Sequence, residues 1–518
     1  MSSFSDRIWL FDTTLRDGSQ TEGVSFSCED KLDILDKLDR FGMDFVEGGW
    51  PGSNPRDDEF FSKAETSPRC RLVAFGSTRR FGNRPEEDEG LRNLVECKAE
   101  WCCIFGKAWD FQVREALRIS LDENLDLIQD SIAYLVSKGK HVIFDAEHFF
   151  DGYESDSNYA INVLRAAELG GAEWIVLCDT NGGSLPGRIS DAVEDAILSV
   201  GVPLGIHCHN DSDLATACTL AAVESGCMMV QGTVNGIGER CGNANLCAVI
   251  PDLILKMGCV TGEIDLEGLT SLSTFVSETA NMSLPSNMPY VGSSAFAHKG
   301  GIHASAVVRN PKSYEHVEPA SIGNVRRMLV SDMAGKASIC EKLRQLGMEC
   351  GDDSPEITRC IKDLESRGYQ FEGADASFEL LVRRLRGHDE PPFTVEGFRV
   401  FTDESDEMSE ATVVIKNGNG DVEHTAAFGN GPVNALDIAI RKALSRFFPI
   451  IENIRLTDYK VRVLDEKAAT GACVRVLIRS TDGKTNWTTV GVSENVIKAS
   501  MIALTDSLEF VLMRNNNQ

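Results

Sequence analysis

No stretch of the 518 residues approaches ~18 uncharged apolar positions, so no membrane-spanning helix is expected. Basic residues are in deficit, 51 Lys and Arg against 79 Asp and Glu, for a formal charge of −28. A surface this acidic repels phosphate backbones and anionic lipid, which argues against nucleic-acid or membrane binding as a function. A local pocket for one anionic ligand is still permitted. No CxxC pair suggests a structural zinc site. The sixteen cysteines are scattered, often in apolar runs (Cys102, Cys103, Cys178, Cys208), and are expected to be reduced core residues. The opening MSSFSDRIWLFD has no basic segment followed by an apolar run, so no secretory signal is read there, and a cytoplasmic enzyme is the expectation. A phosphate-cradling loop is also missing, because GNGP (429–432) is too short and has no following lysine.

What is present is an alternation. Eight short apolar runs occur at Ile8–Phe11, Phe45–Val46, Leu72–Phe75, Trp101–Phe105, Val142–Phe144, Trp174–Cys178, Leu204–Ile206 and Met228–Val230. Between them lie stretches with apolar residues at helical spacing, such as Glu29–Phe41 and Asn124–Lys138. Continuous apolar strands alternating with helices predict a parallel sheet covered by helices. Eight of them predict closure into a (β/α)8 TIM barrel of the α/β class, with an open doubly wound sheet as the alternative. Almost every run ends in a group able to do chemistry: Asp12 with Arg16 and Asp17, Glu47, Ser77, Lys107, Asp145 with Glu147, Asp179 with Thr180, His207 with His209, and Asn235. In a barrel these gather at one mouth.

His207 and His209 are two apart on a strand, so their imidazoles point the same way and can share a divalent ion. Asp17 can add a carboxylate oxygen and Asn243 an amide oxygen, leaving positions open for water or a chelating substrate. The ion is left open among Mn2+, Mg2+, Zn2+ and Co2+. Arg16 offers a planar fork of donors to a carboxylate or an enolate oxygen, with Glu47 holding it; a purely structural salt bridge fits the same two residues. Glu147 and Thr180, at the fifth and sixth strand ends, can hold a substrate carboxylate and hydroxyl or simply cap their strands. Ile104 and Phe105, at the fourth, can close a small apolar pocket.

Five segments in order, FDTTLRDGSQ (11–20), EGGWPGSNP (47–55), HCHND (207–211), NGIGERCGNAN (235–245) and HKGGIHASAVVRNPKSYEH (298–316), resemble the DRE-TIM metallolyase superfamily. Within it the chain is similar to the Claisen-condensing acyl-CoA synthases, and residues 22–57 resemble most the citramalate-forming members. The resemblance implies Arg16, Asp17 and Glu47 as the signature, and Asp17, His207 and His209 as metal ligands with Asn243 nearby or coordinating. It implies His303 as the base with Tyr314 as its partner, His298 being the unexcluded neighbour. Acetyl-CoA and pyruvate are the implied substrates. Isopropylmalate or homocitrate synthesis, retro-aldol cleavage by an acyl-CoA lyase, and an inactive amino-acid sensor are the alternatives.

The last ~125 residues carry an internal repeat. At an offset of 61, Ala411–Ile415 overlies Ala472–Val476, Asp421 overlies Asp482 and Asn434 overlies Asn495, each copy reading as strands, turn and helix. EHTAAFGNGPVNALDIAIRKAL (423–444) resembles the regulatory domain of these synthases. That implies a homodimer with isoleucine as effector, held near Gly429, Gly431 and Asn434. The expected organisation is a catalytic barrel over 1–280, a connecting region over 281–390 with helices at Ser338–Gly347, Glu356–Ser366 and Phe378–Arg386, and a duplicated α+β regulatory and dimerisation domain over 391–518. RGHDEPP (386–392) reads as a linker.

Overall fold

A computed structural model describes residues 7–298, 301–329, 336–371, 373–387, 390–402, 408–464, 472–483 and 485–515. Two residues of the expected linker, His388 and Asp389, lie outside them. The described chain forms two compact units, the first running to Phe296 and including Val317–Val325, the second comprising Ala297–His316 and the chain from Arg326 onward.

The first unit is a closed barrel of eight strands: β1 (Trp9–Asp12), β2 (Phe45–Gly49), β3 (Arg71–Ser77), β4 (Trp101–Lys107), β5 (His141–Glu147), β6 (Trp174–Asp179), β7 (Leu204–Cys208) and β8 (Met229–Gly232). Neighbours pair in parallel, and β8 closes on β1 with Trp9 opposite Met229. Both faces of each strand are buried, which is why the sequence reads as apolar runs without alternation. Phe11, Phe45, Val73, Cys103, Ile143, Val176 and Met229 fill the barrel interior. The intervening positions, such as Leu10, Val46, Cys102, Ile104 and Phe144, pack outward in the helix-facing core.

Local signals set the helices. The helix Cys28–Phe41 begins with a capping box between Ser27 and Asp30 and ends at Gly42, whose φ of 104° is the left-handed geometry glycine tolerates. A second box, Ser120 with Glu123, starts the helix Leu121–Ser137. No described helix is long and apolar enough to cross a membrane.

The second unit opens with the paired two-residue strands β9 (Ala297–His298) and β10 (Arg327–Met328) and the helices Gly301–Arg309, Lys336–Gln345, Ser354–Ser366 and Asp375–Arg386. Two three-stranded antiparallel sheets follow: β11 (Phe393–Thr402), β12 (Ser409–Asn417) and β13 (Val422–Gly429), then β14 (Arg455–Val463), β15 (Val474–Thr481) and β16 (Asn486–Ser493). Each sheet leads into a helix, Pro432–Ser445 and Val496–Asn515, and residues of both halves, among them Val413, Ile440, Val476 and Ala503, share one core.

The duplication is there, but its register differs from the constant offset of 61. The bulge between Val395 and Gly397 recurs between Leu456 and Asp458, which fits 61. Beyond the first strand the shift is 65 on the second strand and 64 from the third onward: Val413 pairs with Thr425 and Ile478 with Thr489, and the helices start at Pro432 and Val496. A longer connection between the first two strands of the second copy, 464–473 against 403–408, accounts for the change. Asp421 and Asn434 therefore correspond to Thr485 and Lys498, not to Asp482 and Asn495.

The cysteine expectation also needs a correction. Cys340 and Cys350 are joined as a disulfide, with Cα atoms 4.9 Å apart. They lie in the small helical region rather than in an apolar strand, and a separation of ten residues lets the chain turn back on itself. The other fourteen are free, and ten of these are buried.

Candidate metal centre and active site

Three side chains from two strand ends converge inside the barrel mouth. Asp17 follows β1 on a turn where three successive amides, those of Arg16, Asp17 and Gly18, donate to the Thr13 carbonyl. His207 and His209 come from β7 and the residue just past it, on the same side. The Asp17 Oδ2 lies 3.5 Å from His207 Nε2 and 3.9 Å from His209 Nε2, and the two Nε2 atoms are 3.3 Å apart. All three residues are buried. For ligands about 2.0–2.2 Å from an ion, edges of roughly 3–3.5 Å are what cis or tetrahedral positions require.

Unpartnered polar atoms support the same fit. Asp17 Oδ1 and Asn243 Oδ1 are buried acceptors without a hydrogen bond. Asn243 is held opposite His209 by a backbone bridge, while its amide nitrogen donates to the Ile237 carbonyl at 3.4 Å. Leaving buried acceptors unsatisfied is unfavourable unless a cation or donor meets them. An oxygen and imidazole set of this kind suits a divalent ion.

Electrostatics sort the protons. Burial pushes the Asp17 carboxyl up, but Arg16 and then His207 outweigh it and hold the group well below the usual carboxylate range. Burial lowers His209 to about 3, with the neighbouring His207 adding to the shift, so its imidazole is neutral at pH 7 and keeps a lone pair. Asp17 raises His207 against its own burial. The outer nitrogen of His207 is occupied, because Nδ1 lies 2.9 Å from Gln231 Oε1 and Gln231 Nε2 donates to Asp145 Oδ1 at 3.2 Å. A carboxylate at one end only accepts, so the Gln231 amide must turn its oxygen to His207. The proton then sits on Nδ1 and Nε2 faces the cluster.

Arg16 stands beside this cluster. Its Nε donates to Glu47 Oε2 at 2.6 Å, its Nη1 lies 3.4 Å from Asp17 Oδ2, and its guanidinium stacks 3.8 Å from the Phe75 ring centre. Burial raises the Glu47 carboxyl to about 7 even against the pull of Arg16. Glu47 and Phe75 together fix the plane of the fork.

These groups line a cavity of about 220 Å³. Arg16, Asp17, Phe105, Glu147, Thr180, His207 and His209 are on its wall, as the sequence suggested. Thr180 Oγ1 accepts from the His148 amide at 2.9 Å, and Glu147 pairs with Lys107. Ile104 is not on the wall. Strand alternation turns it outward into the helix-facing core while its neighbour Phe105 turns in, so the expected Ile104–Phe105 pair is split. Glu47 sits behind Arg16. Sequence reasoning missed Gln20, Trp50, Phe75, Cys178 and Glu239 as wall residues. Asp145, expected at the mouth with Glu147, is on the wall too; it is two before Glu147 on β5, the same alternation that joins the two histidines.

Within the second unit the rings of His303 and Tyr314 meet at a tilt of 33°, centres 4.4 Å apart. His298 is engaged elsewhere, with Nε2 3.0 Å from Glu315 Oε1, and Glu315 takes the Arg326 Nε at 2.7 Å. At the junction of β13 and the helix Pro432–Ser445, a Cβ on Gly429 would come within 2.4 Å of the Ala435 nitrogen, so only glycine fits. Gly431 is extended at φ 172° with open space around it, and Asn434 Oδ1 accepts from the Asn430 amide at 3.1 Å. Glycine is thus required by packing at 429 and not at 431.

Residues 7–276 match the family described as HMGL-like, 290–368 the homocitrate synthase post-HMGL domain-like family, and 372–512 the LeuA allosteric (dimerisation) domain. The chain is 51% identical to an (R)-citramalate synthase of Aquifex aeolicus, over 99% of both chains. It is also 51% identical to the (R)-citramalate synthase of Geobacter sulfurreducens, over 98% of both. Against a 2-isopropylmalate synthase of Methanocaldococcus jannaschii the identity is 32%, over 98% of this chain and 95% of that one. The protein is thus a TIM-barrel member of the HMGL-like family with a C-terminal LeuA domain, and it belongs with the (R)-citramalate synthases.

Proposed function

We propose that the protein condenses acetyl-CoA with pyruvate and water to give (R)-citramalate and CoA, with isoleucine as feedback effector of a homodimer. The observation that carries the reading is the buried Asp17–His207–His209 cluster sharing one cavity with Arg16, in a chain similar over its whole length to (R)-citramalate synthases. Asp17, His207 and His209, with Asn243 beside them, would hold a divalent ion, which when bound supplies Lewis acidity to a 2-oxo acid carbonyl.

The chain's own groups do the rest. Glu147 and Thr180 present a carboxylate and a hydroxyl to the bound acid, and Phe105 presents an apolar surface to its methyl group. His303, with the Tyr314 ring against it, takes a proton from the acetyl methyl group. His298 is the weaker choice because Glu315 already holds its Nε2. Arg16 sits where a guanidinium steadies negative charge on an enolate or alkoxide oxygen, its plane fixed by Glu47 and Phe75. The new carbon–carbon bond joins the acetyl methyl carbon to the keto carbon, and water then cleaves the thioester, releasing CoA.

Thiol release from acetyl-CoA with pyruvate, 2-oxoisovalerate or 2-oxoglutarate in turn tests this. The reading expects pyruvate to give the highest kcat/KM. A higher value for 2-oxoisovalerate would reassign the chain to isopropylmalate synthesis.

A further inference from the structure

Among the described residues, the wall of the barrel cavity is polar except for Cys178 and three aromatic rings, Trp50, Phe75 and Phe105. Whatever alkyl group a 2-oxo acid carries into this space meets those rings. Two of them are committed. Phe75 and Phe105 rise from β3 and β4, stack on each other with centres 5.5 Å apart, and Phe75 also carries the Arg16 guanidinium. Trp50 stands beyond the end of β2 and sets its edge against both, 5.4 Å from Phe75 at 86° and 6.0 Å from Phe105 at 83°. It is the one ring whose replacement leaves the platform under Arg16 in place.

Trp50 is not on a loose turn. Its amide donates to Asp57 Oδ2 at 2.9 Å, and Asp57 Oδ1 takes Lys31 Nζ at 2.6 Å. The same ammonium donates to the Gly48 carbonyl at 3.0 Å. Both partners are buried, and a buried ion pair with its remaining hydrogen bonds met holds one geometry. Gly49 makes the fit possible: its φ is 147°, and a Cβ there would lie 2.5 Å from Asp57 Oδ2. The clamp fixes the backbone from which the indole projects.

We infer that Trp50 is a specificity-determining residue that limits the length of the 2-oxo acid side chain the cavity accepts. This rests on the condensing activity proposed above, with unbranched 2-oxo acids as the substrate class. Removing ring volume here lengthens the apolar end of the cavity, and a hydrophobic pocket distinguishes one methylene by roughly 10–200-fold.

The test compares kcat/KM for 2-oxobutyrate and pyruvate in the full chain, in Trp50→Leu and in Trp50→Phe. Mn2+ binding and melting temperature are measured alongside. The expected result is a 2-oxobutyrate-to-pyruvate ratio raised about 10-fold or more in Trp50→Leu and by less in Trp50→Phe, with Mn2+ affinity unchanged. If Trp50→Leu does not fold, the ratio in Trp50→Phe decides. A ratio within about twofold of the parent in a folded, Mn2+-binding variant overturns the inference and leaves the condensing activity standing. A parent chain that releases no CoA with either acid overturns both.

Discussion

His207 has one nitrogen to offer, because Gln231 holds the other and Asp145 holds Gln231. Two predictions follow from this chain of hydrogen bonds. His207→Ala removes a converging ligand, so Mn2+ binding should be lost and CoA release should fall by orders of magnitude. Circular dichroism should still report the barrel. Gln231→Leu keeps all three ligands but frees the tautomer; Mn2+ affinity measured by calorimetry should fall about 10–100-fold, the usual cost of losing such support. A Gln231→Leu chain that binds Mn2+ as tightly as the parent would show that the tautomer needs no outside hold. Such details mark the limit of sequence reading at this scale. The paired histidines were legible from their spacing of two. Gln231 was not, since MVQG reads as strand filler until β8 is closed against β7 and the amide is seen to face the imidazole. Trp50 was hidden for a related reason, because its neighbour Glu47 accounted for the motif by itself.

At the scale of elements, the barrel was legible because burial on both strand faces leaves apolar runs, and their number, eight, favoured closure over an open doubly wound sheet. Which neighbour faces inward was not, since continuous apolar runs carry no alternation; hence Ile104 and Phe105 were read together and fold apart. The repeat failed for a different physical reason. The matches at 61 from Ala411 onward were fortuitous, because a longer connection after the first strand moves the register of everything that follows. The strand pair β9 and β10 gives a prediction of its own. Glu315 is 8% exposed and bonded to both Arg326 and His298. Its burial raises the carboxyl, but Arg326 and then His298 bring it below the ordinary 4.5. A carboxylate lowered on folding stabilises above its unfolded value and loses that contribution as pH falls through the folded one. Chemical unfolding of the parent and Glu315→Gln should therefore differ at pH 7, and the gap should shrink as pH falls below the ordinary carboxyl value of 4.5. A gap that does not change with pH would mean the ion pairs contribute nothing.

For the whole molecule the question is control and chemistry together. The LeuA domain match and the close packing of Gly429 on its helix support a ligand-binding junction, and isoleucine is the effector we expect. Isoleucine should inhibit the full chain and raise its melting temperature, with a coupling of ~1–3 kcal/mol. Gly429→Ala, which forces Cβ toward the Ala435 nitrogen, should blunt inhibition while leaving uninhibited turnover near the parent's. If neither isoleucine nor leucine inhibits or shifts the melting temperature, the domain serves assembly alone. The most direct measurement addresses the barrel. Full-length protein is stripped with chelator and given acetyl-CoA and pyruvate, and free thiol is followed as Mn2+, Mg2+, Zn2+ or Co2+ is restored. The account predicts negligible release without metal, release restored by at least one of these ions, and none when pyruvate is omitted. Thiol release that proceeds at full rate in the stripped protein, or that is indifferent to pyruvate, would contradict it.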